Sequence, residues 1–307
     1  YVPMEIKITR GTIRTNPIPY YGMLNDSIGY ICSSTFSVEG CSKEIKRAFI
    51  ELKQQGAKSM VLDVRGNGGG LLGEAVNVVN FFVPKGKEIV KTKGKFKQWD
   101  HVYRTTSEPI DLEIPLVVLV DGITASASEI VSGSLQDLDR AVIIGNRTYG
   151  KGLVQTLRYL PYNTSMKVTT SKYYIPSGRC VQAIDYSRRN ADGSIARTPD
   201  SLTNVFHTAA GREVRDGGGI RPDIEVKIDK TPNILFYLVN EDMIFDYATQ
   251  YVIKHPTIAE VKDFQLTDAD YADFKAMLKK RNFTYDRQSE EVLKKLKEFA
   301  EFEGYME

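Results

Sequence analysis

Apolar positions in the first half of the chain follow two different periods, and these periods predict the fold. Between short apolar runs, apolar residues recur every three or four positions from Ser42 to Gly56, from Glu74 to Phe82 and up to Leu138, which predicts helices. Strands that alternate with helices are typical of α/β cores with mostly parallel pairing, and this is the fold class that we predict. The apolar runs that predict the strands are residues 27–36, 59–64, 114–121 and 141–145.

The pattern changes on both sides of this core. Residues 153–184 favour β-structure, residues 188–223 are polar and Gly-rich and predict long loops, and the period is helical from Asn233 onward. In that last part we expect a cap at Thr267 and Asp270 and a final amphipathic helix. At the other end, "MEIKITRGTI" predicts the last strand of a preceding domain, and "TNPIPYYG" predicts a linker. We therefore predict three regions, residues 1–24, 25–231 and 232–307.

Composition excludes several classes of function. The chain has 307 residues, 42% of them hydrophobic, and a formal net charge of +2, so no concentrated basic field favours nucleic acid or a membrane surface. No run of apolar residues is long enough to predict a membrane span. The three cysteines have no CxxC spacing and the three histidines lie far apart. We predict no metal and no cofactor, and cysteines that act as small apolar side chains.

A glycine loop follows the strand at residues 59–64. Gly68, Gly70 and Gly73 have the spacing of a dinucleotide fingerprint, but the next strand, "EIVKTKG", does not end in the acidic residue that would hold a ribose. Nucleotide binding is therefore disfavoured. Glycines also let successive backbone N–H groups face a cleft, which suits an anion or a transient oxyanion.

The stretch "DGITASASEIVSGSLQDLD" is rich in small side chains where a helix begins. Ser126 and Glu129 have the spacing of a capping box, and a purely structural role is the simpler interpretation. Alternatively, the Ser126 hydroxyl projects into a cleft, where the free N–H groups and the dipole of the helix N-terminus stabilise negative charge. The pattern alone leaves both interpretations open.

A nucleophilic serine needs a base, and no histidine lies in a motif that suggests one. A lysine can serve when burial lowers its pKa. Lys151 stands between two glycines at the entrance to an apolar strand, and Gln155 lies on the same face of that strand, where its amide oxygen can hold an amine. The alternative is a turn lysine followed by an ordinary polar strand residue.

Five motifs then carry a family resemblance. In chain order "LDVRGNGGG", "TASASE", "YGKGLVQ", "KYYIPSGRCVQ" and "GGGIRPDIEV", over about residues 28–226, resemble C-terminal processing (tail-specific) proteases of peptidase family S41. The resemblance implies a crotonase-like α/β core and a serine peptidase with a Ser-Lys dyad. Ser126 matches the nucleophile, Lys151 the general base and Gln155 the residue that orients the lysine.

The resemblance implies further features. The backbone N–H of Ala127 and that of Gly69 or Gly70 would form the oxyanion hole, and the sequence leaves open which glycine takes part. The family usually carries a PDZ domain, so residues 1–24 would be the remnant of its last strand and a linker. Thr124 replaces the first serine of the commoner "SASASE" form. Such bacterial proteases usually work in the periplasm or cell envelope, which is the localisation that we expect.

The expected partner is a protein or peptide with an extended C-terminal tail, which would add as a strand beside the core sheet. Homo-oligomerisation is left open, and the sequence does not identify the natural substrate. Two alternatives remain: a non-catalytic module that binds ligands or peptides on the same fold, and a crotonase-type enzyme that binds an acyl thioester in the glycine loop. Because Ser126 and Lys151 are both present, the peptidase is favoured.

Overall fold

The computed structural model describes residues 4–13, 15–227, 231–260 and 263–305. The chain divides into two compact units, Tyr1–Lys227 and Ile228–Glu307, and the division falls close to the boundary that we placed near Thr231. The helices of the first unit are α1 (Cys41–Gln54), α2 (Leu72–Asn80) and α3 (Ala127–Asp137). Its strands are β1 (Tyr20–Met23), β2 (Ile28–Cys32), β3 (Ser59–Asp63), β4 (Glu88–Gly94), β5 (His101–Arg104), β6 (Leu116–Val120), β7 (Val142–Gly145), β8 (Leu153–Leu160), β9 (Thr164–Tyr174), β10 (Ile184–Arg189), β11 (Ile195–Arg197), β12 (Val205–His207), β13 (Glu213–Arg215) and β14 (Ile224–Glu225).

A six-stranded sheet in the order β1-β2-β3-β6-β7-β14 forms the core of this unit. Its strands pair in parallel except for β1, which is antiparallel to β2. The predicted α/β fold class with a mostly parallel sheet is thus confirmed. Cys32 pairs with Asp63, Asp63 with Leu119, and Val120 with Gly145, so β2, β3, β6 and β7 end at one edge of the sheet. The loops that follow β3, β6 and β7 consequently leave from the same edge.

The three helices supply the apolar surface that covers the sheet. Phe49 of α1 and Phe82, just after α2, are buried, with ring centroids 5.5 Å apart in an edge-to-face arrangement. Burying a side chain of this size contributes about 1.5–3 kcal/mol. Every residue of α3 is buried, and a methyl group added at Gly133 would lie 2.6 Å from the side chain of Ile220. The small residues of α3 therefore allow close packing on all sides of the helix.

A second, antiparallel sheet has the strand order β5-β4-β9-β8. Strands β8 and β9 form a long hairpin in which Val154 pairs with Ser171 and Gln155 with Thr169, so Thr170 is the extra residue of a bulge on β9. The alternation along β8 is not interrupted. Within the described residues, β8 pairs only with β9 and is thus an edge strand of this sheet.

Three sequence predictions about the secondary structure of this unit are wrong. The described residues 4–13 form no strand, because this alternating segment finds no neighbouring strand to pair with and exposes Ile6 and Ile8; residues 1–3 and 14 of the same region lie outside the described residues. The predicted linker "TNPIPYYG" contains β1. The predicted loops at residues 188–223 contain β11, β12 and β13 and the end of β10, which form two hairpins. Three-residue strands are too short to show a period of two.

The β-rich prediction for residues 153–184 is confirmed only in part. Strands β8 and β9 cover most of the region, but residues 179–183 are not in a strand. Their backbone instead makes irregular hydrogen bonds, since the N–H of Ala183 donates to the carbonyl of Gly150 and the N–H of Gly219 donates to that of Val181. This segment therefore braces the loop after β7.

The second unit is helical, as predicted. Thr267 and Asp270 form the predicted capping box at the start of its third helix. The hydroxyl of Tyr247 donates to the carbonyl of Asp270 at 2.7 Å, and its ring lies 5.2 Å from that of Phe274, so the second and third helices pack together. The helices are α4 (Asn233–Asn240), α5 (Met243–Lys254), α6 (Asp268–Lys280) and α7 (Gln288–Phe302).

Candidate active site

A cavity of about 310 Å³ opens at the edge where β3, β6 and β7 end. The glycine loop follows β3, the Ser126 turn follows β6, and the loop that carries Lys151 follows β7. The β8–β9 hairpin supplies the remaining wall. The cavity is lined by Gly70, Leu71, Leu72, Ser126, Ala127, Ile130, Lys151, Leu153, Val154, Gln155, Lys167 and Tyr173.

Ser126 lies immediately before α3 and has a backbone conformation that residues other than glycine rarely adopt. Its φ is 57° and its ψ is −117°, and such a conformation in a residue other than glycine costs about 1–3 kcal/mol. The residue is half-buried, whereas Ala127 and Ser128 after it are buried. The turn thus presents a serine at the cavity, next to the positive end of the helix dipole.

The glycine loop packs directly against this turn. A methyl group added at Gly69 would lie 2.8 Å from the backbone nitrogen of Ala127, and one added at Gly70 would lie 2.1 Å from the carbonyl carbon of Phe36. Both glycines have positive φ, 94° and 152°. The close approach and the backbone conformation therefore both require glycine here.

Lys151 is half-buried and lies on the same cavity as Ser126. Among the described residues, no hydrogen bond joins Ser126 Oγ to Lys151 Nζ. The backbone of the two segments is nevertheless connected, because the hydroxyl of Tyr173 donates to the Lys151 carbonyl at 2.6 Å and lies 3.1 Å from the Ser126 carbonyl. Burial raises the pKa of Tyr173 well above its ordinary value, so this hydroxyl stays a donor.

Glu129 ties the Ser126 turn to the Lys151 loop more firmly still. One carboxylate oxygen accepts the N–H groups of Ser126 and Lys151, both at 2.8 Å, and the other accepts Thr148 Oγ1 at 2.5 Å and the N–H of Gly150 at 2.7 Å. The side chain is fully buried. Burial raises the pKa of Glu129, although the hydrogen bonds from Thr148 and the backbone oppose this. The glutamate of the predicted capping box is thus shared by two loops.

Gln155 lies on β8, on the same strand face as Leu153, and lines the cavity while remaining exposed. Lys151 itself precedes β8, so the alternation of the strand does not reach it. What brings Gln155 and Lys151 to one cavity is the path of the loop between β7 and β8.

The structure adds four residues that the sequence reasoning missed or only partly recognised. Thr148 and Tyr173 lie within or beside the quoted motifs. Their hydrogen-bond partners are distant in the sequence, however, and no local pattern predicts them. The pattern S-x-x-E predicts only a cap at Glu129, since a cap needs no second loop. Asn67 is fully buried in the glycine loop, and a single polar residue among glycines resembles an ordinary turn residue.

Other kinds of site find no support within the part of the chain that the structure describes. No cluster of three or more histidine, cysteine or acidic side chains is arranged to hold a metal ion there. None of the described helices is long and apolar enough to cross a bilayer. Cys32, Cys41 and Cys180 are free thiols, and burial raises the pKa of each.

Two family models match the sequence. The model of "Peptidase family S41" covers residues 27–188, more than half of the chain, and the model of "Probable PDZ-protease, C-terminal helical domain" covers residues 234–307. The α/β core is thus that of a peptidase. The chain belongs to peptidase family S41, which confirms the resemblance drawn from the five motifs.

Individual relatives agree with the family. The carboxy-terminal-processing protease of Bartonella bacilliformis is 42% identical over 190 residues, which cover 59% of this chain and 42% of that protein. The carboxyl-terminal-processing protease of Picosynechococcus sp. is 39% identical over 177 residues, 56% of this chain and 41% of that protein. A structure of a photosystem II D1 C-terminal processing protease superposes with a TM-score of 0.49 at 32% identity and covers 65% of this chain and 42% of that one. The matched part therefore spans only about two fifths of the length of these relatives.

Proposed function

We propose that this chain carries the catalytic region of a serine endopeptidase that cleaves proteins near their C-termini through an acyl-enzyme. The observation that carries the proposal is the meeting of Ser126, Lys151 and the glycine loop on one cavity, with the serine held in a conformation that costs free energy. Strain of this kind is typical of active sites, where the surrounding structure must enforce it.

In the proposed mechanism, the neutral amine of Lys151 takes the proton of Ser126 while Oγ attacks the scissile carbonyl carbon. The carbonyl electron pair moves to the oxygen, which the N–H of Ala127 and a glycine N–H stabilise. Protonated Lys151 then gives its proton to the leaving amine, and water hydrolyses the acyl-enzyme.

The substrate would lie along β8. This strand is an edge of the four-stranded sheet, and Leu153, Val154 and Gln155 line the cavity. Backbone hydrogen bonds to an edge strand accept many sequences, which suits the processing of extended tails. We accordingly place the tail beside this sheet rather than beside the core sheet that the sequence suggested.

A p-nitrophenyl ester tests the nucleophile. We expect a burst of p-nitrophenol and an acyl group on Ser126 by mass spectrometry, and we expect Ser126→Ala to lose both along with at least a thousandfold of peptidase activity (~10³). Ser128→Ala is the matched control, since this buried hydroxyl, within the described part of the chain, has no hydrogen-bond partner. Full activity in Ser126→Ala would overturn the proposal. Binding of an acyl thioester without acylation of Ser126 would instead support the crotonase-type alternative.

A further inference from the structure

Asn67 connects three segments around the cavity, two through its side chain and one through its backbone carbonyl. Its amide nitrogen donates to the carbonyl of Ser33 at 2.9 Å, and its amide oxygen accepts the N–H of Gly69 at 2.9 Å. Its backbone carbonyl accepts the N–H of Ala125 at 3.1 Å. The residue is completely buried, so each of these groups would be costly to leave without a partner.

These bonds distinguish the two glycines that follow. The N–H of Gly69 is already engaged by Asn67, and Gly69 does not line the cavity. Gly70 does line the cavity, and among the described residues its N–H has no hydrogen-bond partner. The bonds from Phe36 N–H to the Gly69 carbonyl and from Leu71 N–H to the Phe36 carbonyl hold the chain on both sides of Gly70. Its peptide plane is therefore fixed while its donor remains free.

We propose that Asn67 is a positioning residue that makes Gly70, together with Ala127, the pair of oxyanion donors. By holding the Gly69 N–H away from the cavity, it fixes the orientation of the next peptide group. Its backbone carbonyl, which accepts the N–H of Ala125, also links the glycine loop to the turn that carries Ser126. The inference rests on the proposed serine mechanism and answers the question that the sequence left open.

A peptide aldehyde imitates the reaction at this site. The bond from Ser126 Oγ to the aldehyde carbon forms, the carbonyl electron pair moves to oxygen, and the hydroxyl proton passes to Lys151. The resulting oxyanion needs both donors, whereas the planar carbonyl of a bound substrate needs them much less. An error in positioning should therefore weaken aldehyde binding and lower kcat, with little effect on KM.

The variant Asn67→Ala tests the positioning. We expect kcat and aldehyde affinity to fall by a similar factor, about a hundredfold, while KM changes by less than about threefold. Asn80→Ala is the matched control, because Asn80 is also buried and its amide also bridges backbone groups, at Thr106 and Ser107, away from the cavity. Equal kinetic effects in the two variants, or a rise in KM at constant kcat, would overturn the inference.

A measurement on the unaltered protein decides the matter if Asn67→Ala fails to fold. In protein labelled with ¹⁵N-glycine, addition of the aldehyde should move the amide proton signal of Gly70 downfield and leave that of Gly69 in place. A shift at Gly69 instead would show that the donors are assigned wrongly. If mass spectrometry finds no acyl group on Ser126 after reaction with the p-nitrophenyl ester, the serine mechanism fails, and the inference falls with it.

Discussion

The two walls of the cavity differ in how firmly the protein holds them. The turn wall, which comprises the glycine loop, the Ser126 turn and the start of α3, is fixed by buried hydrogen bonds of Asn67 and Glu129. The hairpin wall, formed by β8 and β9, becomes more exposed toward its tip, where Tyr162 is 97% exposed. The proposed chemistry thus lies on the turn wall, and the hairpin wall, which would accept a peptide, keeps a strand edge open.

The largest effect should come from the lysine between the two walls. Lys151→Met removes the proposed base, and we expect acylation by a p-nitrophenyl ester to slow by about 10³-fold or more, since members of a catalytic unit fail together. Lys172→Met is the control, because Lys172 is an exposed lysine on β9 that does not line the cavity. If both variants acylate at the rate of the unaltered protein, another group acts as the base.

The next largest effect tests the turn wall. In Glu129→Gln, one of the two carboxylate oxygens becomes an NH₂ group that faces N–H donors, so Ser126 and Lys151 should shift and kcat should fall about ten- to a hundredfold. The free energy of unfolding should fall by about 1–3 kcal/mol. Glu74→Gln is the control: Glu74 is a buried carboxylate that accepts the N–H groups of Gly40 and Ser42. A loss of stability in both variants with a loss of kcat only in Glu129→Gln would support the comparison.

A smaller effect tests the hairpin wall. Gln155→Ala removes the amide proposed to orient the lysine, and we expect kcat to fall about tenfold, because an exposed side chain orients its partner less strictly than a buried one. Arg158→Ala, on the same strand and outside the cavity lining, should leave kcat unchanged. A fall in activity for Gln155→Ala as large as that for Lys151→Met would contradict this comparison, because the hairpin wall would then position the lysine as strictly as the turn wall does.

The smallest effect is one of pH. Because burial raises the pKa of Glu129 in the folded protein, the folded state holds this proton more tightly than the unfolded state. Relative to Glu129→Gln, the free energy of unfolding should therefore fall as pH rises from the unfolded pKa through the folded one, by at most about 1.4 kcal/mol per unit.

Glu74 provides the opposite sign for the same experiment. Burial works against its ionisation, but hydrogen bonds from Ser42 and Gly40 outweigh burial and lower the pKa of Glu74. Relative to Glu74→Gln, its stabilisation should be present above the unfolded pKa and be lost as pH falls through the folded one. Urea unfolding between pH 3 and 8 would check both slopes, and equal signs would contradict this assignment.

The sequence predicted the parts of this site that depend on local order. The strand before each loop, the start of α3 and the capping pair of Ser126 and Glu129 all follow from patterns within a few residues. The shared use of Glu129 by Thr148 and Lys151 does not, because it depends on how β6 and β7 align in the sheet. For the same reason, the local pattern predicts a linker where β1 forms and a strand over residues 4–13, where none forms. Pairing requires a neighbouring strand, and a local pattern does not supply one.

The backbone at Ser126 has a consequence for anyone who evolves this protein in the laboratory. Replacing the residue with glycine would release most of the ~1–3 kcal/mol that its backbone conformation costs, offset in part by the greater freedom of an unfolded glycine. A screen that rewards only survival on heating would thus favour losing the hydroxyl on which cleavage is proposed to depend. Each round of selection for thermostability should therefore include an assay of peptidase activity.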